Sequence, residues 1–174
     1  HATIADASRI AEILIFTKRM NYRKIFQNDK VSFGEMQVYP LAKNYIDNPD
    51  ELDGIWVYDD EFVKGVIHHD GKQIVELYVD SFFENQGIGS KLIKYAIEQL
   101  DCDFLWVLEK NINAIRFYQR HGFVLTEEKK YEEGTTEYIV KMKRETERFI
   151  KLDESYLKEI AVLYRSAFMG EPWN

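Results

Sequence analysis

A strand-like run from Ile74 to Asp80 leads through a short loop holding Gln86-Gly87-Ile88-Gly89 directly into a helix-like run ending near Leu100. Apolar residues at Ile88, Leu92, Ile93, Ala96, Ile97 and Leu100 keep the spacing of a helix with one buried face. The chain must therefore build both a sheet and a helix around one glycine-bearing junction. Two glycines at the helix entrance let the backbone approach a ligand with no Cβ in the way. The unpaired N–H groups of the first turn face that ligand, and the helix dipole favours negative charge there, so the junction is a candidate phosphate cradle. A glycine pair at such a junction also serves as a plain tight turn. Two better-known cradles are excluded. Leu92 stands where Gly-x-Gly-x-x-Gly needs its third glycine, and no Gly-x-x-x-x-Gly-Lys-Ser/Thr pattern occurs.

A second motif lies downstream, Asn111-Ile-Asn-Ala114-Ile-Arg-Phe117-Tyr118-Gln-Arg-His-Gly122-Phe123, after a strand-like run from Phe104 to Leu108. Ala114 and Tyr118 are four residues apart and share a helix face, and Gly122 suits a left-handed helix end. Alone, this is an ordinary helix with a tyrosine packed into the core.

Together the two motifs resemble the GNAT acetyltransferase superfamily. Its signatures are Gln/Arg-x-x-Gly-x-Gly/Ala after the family's fourth strand and Asn-x-x-Ala-x-x-Phe-Tyr-x-x-x-Gly-Phe after its fifth. Both occur here, in order, and the resemblance spans roughly residues 2–144. The second motif matches at Asn111, Ala114, Phe117, Tyr118, Gly122 and Phe123. The first departs at Glu84, where the family usually has Gln or Arg. A carboxylate there loses a contact to cofactor phosphates and leaves the backbone amides of residues 85–90, with Lys91 and Lys94 nearby in sequence.

The rest of the chain fits this frame. Asp6 reads as an N-cap ahead of a stripe at Ile10, Ile13, Leu14 and Thr17, and helical character continues to Phe26. Residues 27–38 read as a loop, and Pro40 begins a short helix ending near Asn48. Strands are predicted over 54–58, 62–69, 73–80, 104–108, 123–131 and 136–142, with turns at Asp59-Asp60, Asp70-Gly71 and Glu133-Gly134. This is an α/β (α+β) chain. The resemblance implies a GNAT-like mixed, mostly antiparallel central sheet with helices on both faces and a cofactor cleft between the fourth and fifth strands.

At 174 residues, 45% hydrophobic and 30% charged, the sequence suits a globular domain with a sizeable core. The net charge of −7 argues against nucleic acid as a partner. No apolar run approaches the ~20 residues of a membrane span. One cysteine, Cys102, cannot close an internal disulfide; a reducing cytoplasm is the simple reading, and a small buried residue is the expectation. Residues 1–144 are read as the acetyltransferase-like domain and 145–174 as a helical extension. Within the extension, Asp153-Glu-Ser155-Tyr-Leu157-Lys-Glu159-Ile160 echoes Asp6-Ala-Ser8-Arg-Ile10-Ala-Glu12-Ile13. It is either the start of a second GNAT-like repeat or a helix sharing helix-start chemistry. Its apolar stripe at Leu157, Ile160, Ala161, Tyr164 and Phe168 needs a partner, in this chain or in a homodimer.

The resemblance implies an N-acetyltransferase moving an acetyl group from acetyl-CoA to a primary amine, small-molecule or peptide, by direct attack. The alternative is a non-catalytic acyl-CoA-binding or dimerisation module of a larger protein. The family's bulge parts the fourth and fifth strands, and the cofactor arm pairs with the fourth strand's backbone. That assigns the cosubstrate to Leu77, Tyr78 and Val79, to Asn85, Gln86, Gly87, Ile88, Gly89 and Ser90, and to Asn111 and Ala114. A backbone N–H near Val79 would polarise the thioester carbonyl. Tyr118 is the general-acid candidate, since a phenol with a reference pKa of about 10 can protonate a thiolate with a reference near 8.5; otherwise it is a buried tyrosine. Asn111 either bonds the cofactor arm or caps its helix. Alternation puts Glu76 on one strand face with Ile74 and Tyr78, as a base, a holder of the amine's charge, or a cross-strand ion pair with Lys64. His68 and His69 point to opposite faces and cannot readily share a metal, so no metal is expected. Tyr22, Tyr39, Tyr45 and Trp56 are acceptor-pocket candidates, with core packing as the competing reading.

Overall fold

The structure, a computed structural model, describes residues 1–26, 29–144 and Lys158. A mixed sheet holds β1 (Ile55–Asp60), β2 (Phe62–Asp70), β3 (Gln73–Val79), β4 (Phe104–Leu108), β5 (Phe123–Tyr131) and β6 (Tyr138–Arg144), in the order β1-β2-β3-β4-β6-β5. Neighbours are antiparallel except β3 and β4, which are parallel. The α-helices among the described residues are α1 (Ala7–Phe26), α2 (Val38–Asp47), α3 (Ile88–Gln99) and α4 (Ile112–Gln119). The predicted extension at 145–174, Lys158 apart, lies outside the described residues. Among the described residues no helix is long and apolar enough to cross a membrane.

Two cores lie on the two faces. Ile10, Ile13 and Leu14 of α1 bury with Tyr45 of α2 against Ile55, Val63 and Val66. Ile88, Leu92, Ile93 and Ala96 of α3 and Ile115 and Tyr118 of α4 bury against Ile67, Ile74, Leu105, Phe123 and Met142. Val66 and Ile67, adjacent on β2, thus belong to different cores, as period-two alternation requires. Fully burying each large apolar side chain contributes about 1.5–3 kcal/mol.

Several boundaries differ from the sequence expectation. Asp6 does not cap α1. A 3₁₀ turn at Ile4–Asp6 precedes the helix, and the Asp6 carboxylate reaches back to accept from the Thr3 N–H and hydroxyl, both at 2.8 Å. The predicted loop contains a π-helical turn at Lys30–Glu35, and α2 starts at Val38, so Pro40 sits in its first turn, where a missing N–H leaves no bond unmade. The first hairpin turns on Glu61, at φ +68°, rather than on the two aspartates, because Asp60 pairs with Phe62.

The decisive irregularity is in β3. Against β2 its register shifts between Glu76, opposite His68, and Ile74, opposite His69, which leaves Val75 unpaired. Such a bulge bends the strand and sharpens its twist. Pairing of β3 with β4 covers only Gln73 with Phe104 and Ile74 with Leu105. Beyond the bulge the two strands part.

Candidate active site

The parted strands open a cavity of about 940 Å³. It is bordered by Glu76 to Val79 of β3, Trp106 to Leu108 of β4, the loop before α3 and one face of α4, and Thr17, Lys18 and Asn21 of α1 reach it from the other side. The Asp80 N–H donates to the Lys64 carbonyl at 3.0 Å. Successive N–H groups of a strand alternate sides, so those of Leu77 and Val79 face the opened edge.

Gly87, Gly89 and Ser90 lie at the mouth of α3 and line this cavity, as does Asn85. Gly87 is the N-cap at φ +82°, and a Cβ there would point into open space. A Cβ on Gly89 would come within 3.3 Å of the Phe117 ring. That glycine is what lets α4 close over the first turn of α3. The first intrahelical bond runs from the Lys91 N–H to the Gly87 carbonyl at 3.0 Å, so the N–H groups of residues 88–90 precede it. Two predicted contacts do not border the cavity. Gln86 donates its side-chain amide back to the Phe82 carbonyl at 3.3 Å, and Ile88 buries in the core beneath the loop.

Helix α4 brings Asn111, Ala114 and Tyr118 to the cavity wall. Asn111 caps its helix, its Oδ1 accepting from the Ala114 N–H at 3.2 Å. Tyr118 is buried, its ring edge-on to Phe117 at 5.3 Å and to Phe123 at 6.0 Å. His121 joins the two motifs. One ring nitrogen lies 2.8 Å from the Phe117 carbonyl and the other 3.1 Å from the Ser90 hydroxyl. The carbonyl can only accept, so Nδ1 carries a proton, and in the neutral ring Nε2 accepts from Ser90.

Glu76 differs most from its prediction. Val75 is the extra residue, so Glu76 and Ile74 face opposite ways: Ile74 packs under α3, whereas Glu76 faces α1 and pairs with Lys18 at 2.5 Å. The expected partner Lys64 pairs with Asp60 instead, at 3.0 Å. Of the aromatic pocket candidates, Tyr39, Tyr45 and Trp56 do not line the cavity. Tyr45 belongs to the α1–α2 core, Trp56 packs 5.0 Å from Tyr95, and Tyr39 is 75% exposed. The side chain of Tyr22 lies outside the described residues. Burial and the nearby carboxylates of Glu76 and Glu51 push the Tyr45 hydroxyl up to about 12. Cys102 is buried and its thiol is pushed up to about 11, which suits packing rather than nucleophilic chemistry. Among the described residues no group of histidine, cysteine and carboxylate side chains is arranged to hold a metal.

The sequence reading missed the cations. Lys91 turns away to the Tyr58 hydroxyl at 2.8 Å, whereas Arg116 of α4 and Arg120, its C-cap, border the cavity together with Lys130 of β5. Their i, i+4 spacing within the second motif was the available signal. The residues present fit a phosphorylated thioester: open first-turn amides, a free strand edge and two guanidinium groups, with Glu84 the one opposing charge at the loop.

Residues 51–125 match the acetyltransferase (GNAT) domain family. The spermine/spermidine N(1)-acetyltransferase of Bacillus subtilis (strain 168) is 33% identical over 72 residues, 38% of this chain and 44% of that protein, so the match spans less than half of the relative. The solution structure of apo YjaB from Escherichia coli superposes with a TM-score of 0.65 at 16% identity, covering 82% of this chain and 92% of that one. The PaiA N-acetyltransferase of Thermoplasma acidophilum in complex with coenzyme A gives 0.57 at 18% identity, covering 82% and 95%. The chain has the fold of the acetyltransferase structures on which it superposes, and residues 51–125, less than half of its length, match the GNAT acetyltransferase family.

Proposed function

We propose that the protein is an acetyl-CoA-dependent N-acetyltransferase acting on a primary amine by direct attack. The observation that carries this reading is the cavity opened beyond the Ile74–Leu105 pair, which gathers a helix N-terminus, a free strand edge and Tyr118 around one space. Acetyl-CoA supplies the activated acetyl thioester. The amides of residues 88–90 hold its phosphates through aligned N–H dipoles, helped by Arg116 and Arg120. The Val79 N–H donates to the carbonyl oxygen and stabilises charge that develops there. Tyr118 gives its proton to the departing sulfur. Glu76 accepts the proton of the amine or holds its charge.

The polyamine acetyltransferase relatives support small amines as the first acceptors to try, with peptide amines second. The single cysteine, Cys102, and a cosubstrate made inside cells favour a cytoplasmic setting. The echo at Asp153 to Ile160 supports reading 145–174 as the start of a second copy or a dimerising helix.

Calorimetric titration of the full chain with coenzyme A tests the site. A one-to-one isotherm that Gly89→Leu weakens by about tenfold or more, or 1.4 kcal/mol, is expected. No binding at millimolar coenzyme A overturns the reading. Binding without turnover of any amine would make the chain an acyl-CoA-binding module.

A further inference from the structure

We propose that Lys18 is an internal acceptor, acetylated by the protein's own site. This rests on the acetyltransferase reading above. Among the described residues two lysine amines border the cavity, Lys18 and Lys130, and they stand differently. The Lys130 ammonium lies 4.5 Å from the ring centroid of Trp106, on the sheet face beyond β4. The Lys18 ammonium lies 2.5 Å from Glu76 Oε1 and 5.9 Å from the centroid of the Tyr78 ring. It therefore hangs over the stretch 76–78, whose freed edge carries the Leu77 and Val79 N–H groups. Helix α1 fixes it there: Leu14 and Thr17, on the turn below, are buried. A nucleophile and a carboxylate able to take its proton thus meet at Glu76, three residues along β3 from the Val79 N–H that would hold the carbonyl.

Glu76 takes one proton from the Lys18 ammonium. The freed nitrogen forms a bond to the thioester carbonyl carbon, the carbon–sulfur bond breaks, and Tyr118 protonates the sulfur. A second proton leaves the nitrogen for solvent, and Tyr118 and Glu76 return to their starting states by exchange with water. The products are an amide on Lys18, coenzyme A thiol and one net proton. The amide carries no charge, so the Glu76 carboxylate loses its cationic partner and becomes open to an ammonium from outside.

The test incubates the purified full chain with acetyl-CoA and no added amine, followed by peptide mass spectrometry and calorimetry with coenzyme A. Gain of one acetyl group at Lys18, faster than at Lys43 or Lys94 on the surface, supports the proposal. Abolition of that gain by Tyr118→Phe, and its absence when a non-enzymatic acetyl donor replaces acetyl-CoA, support it further. Lys18→Arg keeps the ion pair and offers no amine of comparable reactivity; the folded variant should bind coenzyme A and gain no acetyl group on the α1 peptide. If coenzyme A binds and outside amines are acetylated while Lys18 stays unmodified, the internal-acceptor idea fails and the function stands. If coenzyme A does not bind at all, both fail.

Discussion

Lys18 of α1 and Glu76 of β3 meet at 2.5 Å across the mouth of the opened sheet, each side chain about one quarter exposed or less. Partly exposed pairs of this kind contribute on the order of 1 kcal/mol or less to stability. Glu76→Gln should therefore leave the thermal midpoint within a few degrees of the parent while lowering kcat/KM for an amine acceptor by about tenfold or more. Melting curves beside steady-state kinetics check this. A variant with unchanged kinetics would confine Glu76 to the ion pair.

Tyr118 borders the cavity with its ring fixed between Phe117 and Phe123. Tyr118→Phe keeps that packing and removes the acidic proton. The expected loss is about 10²-fold in kcat with coenzyme A affinity unchanged. Turnover at the parent rate from pH 6 to 9 would remove Tyr118 from the chemistry.

The two glycines at the α3 entrance should separate stability from binding. Gly87 has φ +82° with open space beyond it, so Gly87→Ala should cost about 1–2 kcal/mol of stability from backbone strain alone. At Gly89 a new Cβ meets the Phe117 ring at 3.3 Å, so Gly89→Leu should displace α4 and weaken coenzyme A together with stability. Denaturant melts and calorimetry on the two variants distinguish the effects. Equal losses in both measurements for both variants would contradict the assignment.

Alkaline pH should destabilise the fold in a defined window. The folded-state values of Tyr45 and Cys102 are raised, to about 12 and about 11, so burial favours their protonated forms. Their contribution is fully present below the unfolded values, about 10 and 8.5, and is lost as pH rises through the folded ones. Each accounts for about 3 kcal/mol at most. Melting temperature should fall between pH 9 and 12, and Tyr45→Phe with Cys102→Ala should flatten that fall. An unchanged slope in the double variant would place the alkaline lability elsewhere.

Much of the fold was legible because its signals are local. The hairpin predicted at Asp70-Gly71 turns one residue later, at Gly71 and Lys72, and the α3 stripe at Ile88, Leu92, Ile93 and Ala96 buries as its spacing requires. Tyr118, Ala114 and Gly89 were found because two motifs place them. The face of Glu76 was misread because alternation assumes an unbroken ladder, and one extra residue at Val75 inverts it. Nothing local marks that residue; the bulge exists only in the pairing with β2. The Lys18–Glu76 contact spans 58 residues of sequence and was equally out of reach. Tyr45 and Trp56 follow the bland expectation for aromatic side chains and sit in packed surroundings.

The most direct test is turnover. The full chain is incubated with acetyl-CoA and a panel of polyamines, amino acids and peptide amines, and coenzyme A thiol release is measured beside the mass of the amine product. Stoichiometric thiol and acetylated amine for at least one acceptor, lost in Tyr118→Phe, is the predicted result. Coenzyme A binding with no acetylated product from any amine, Lys18 included, would contradict the account.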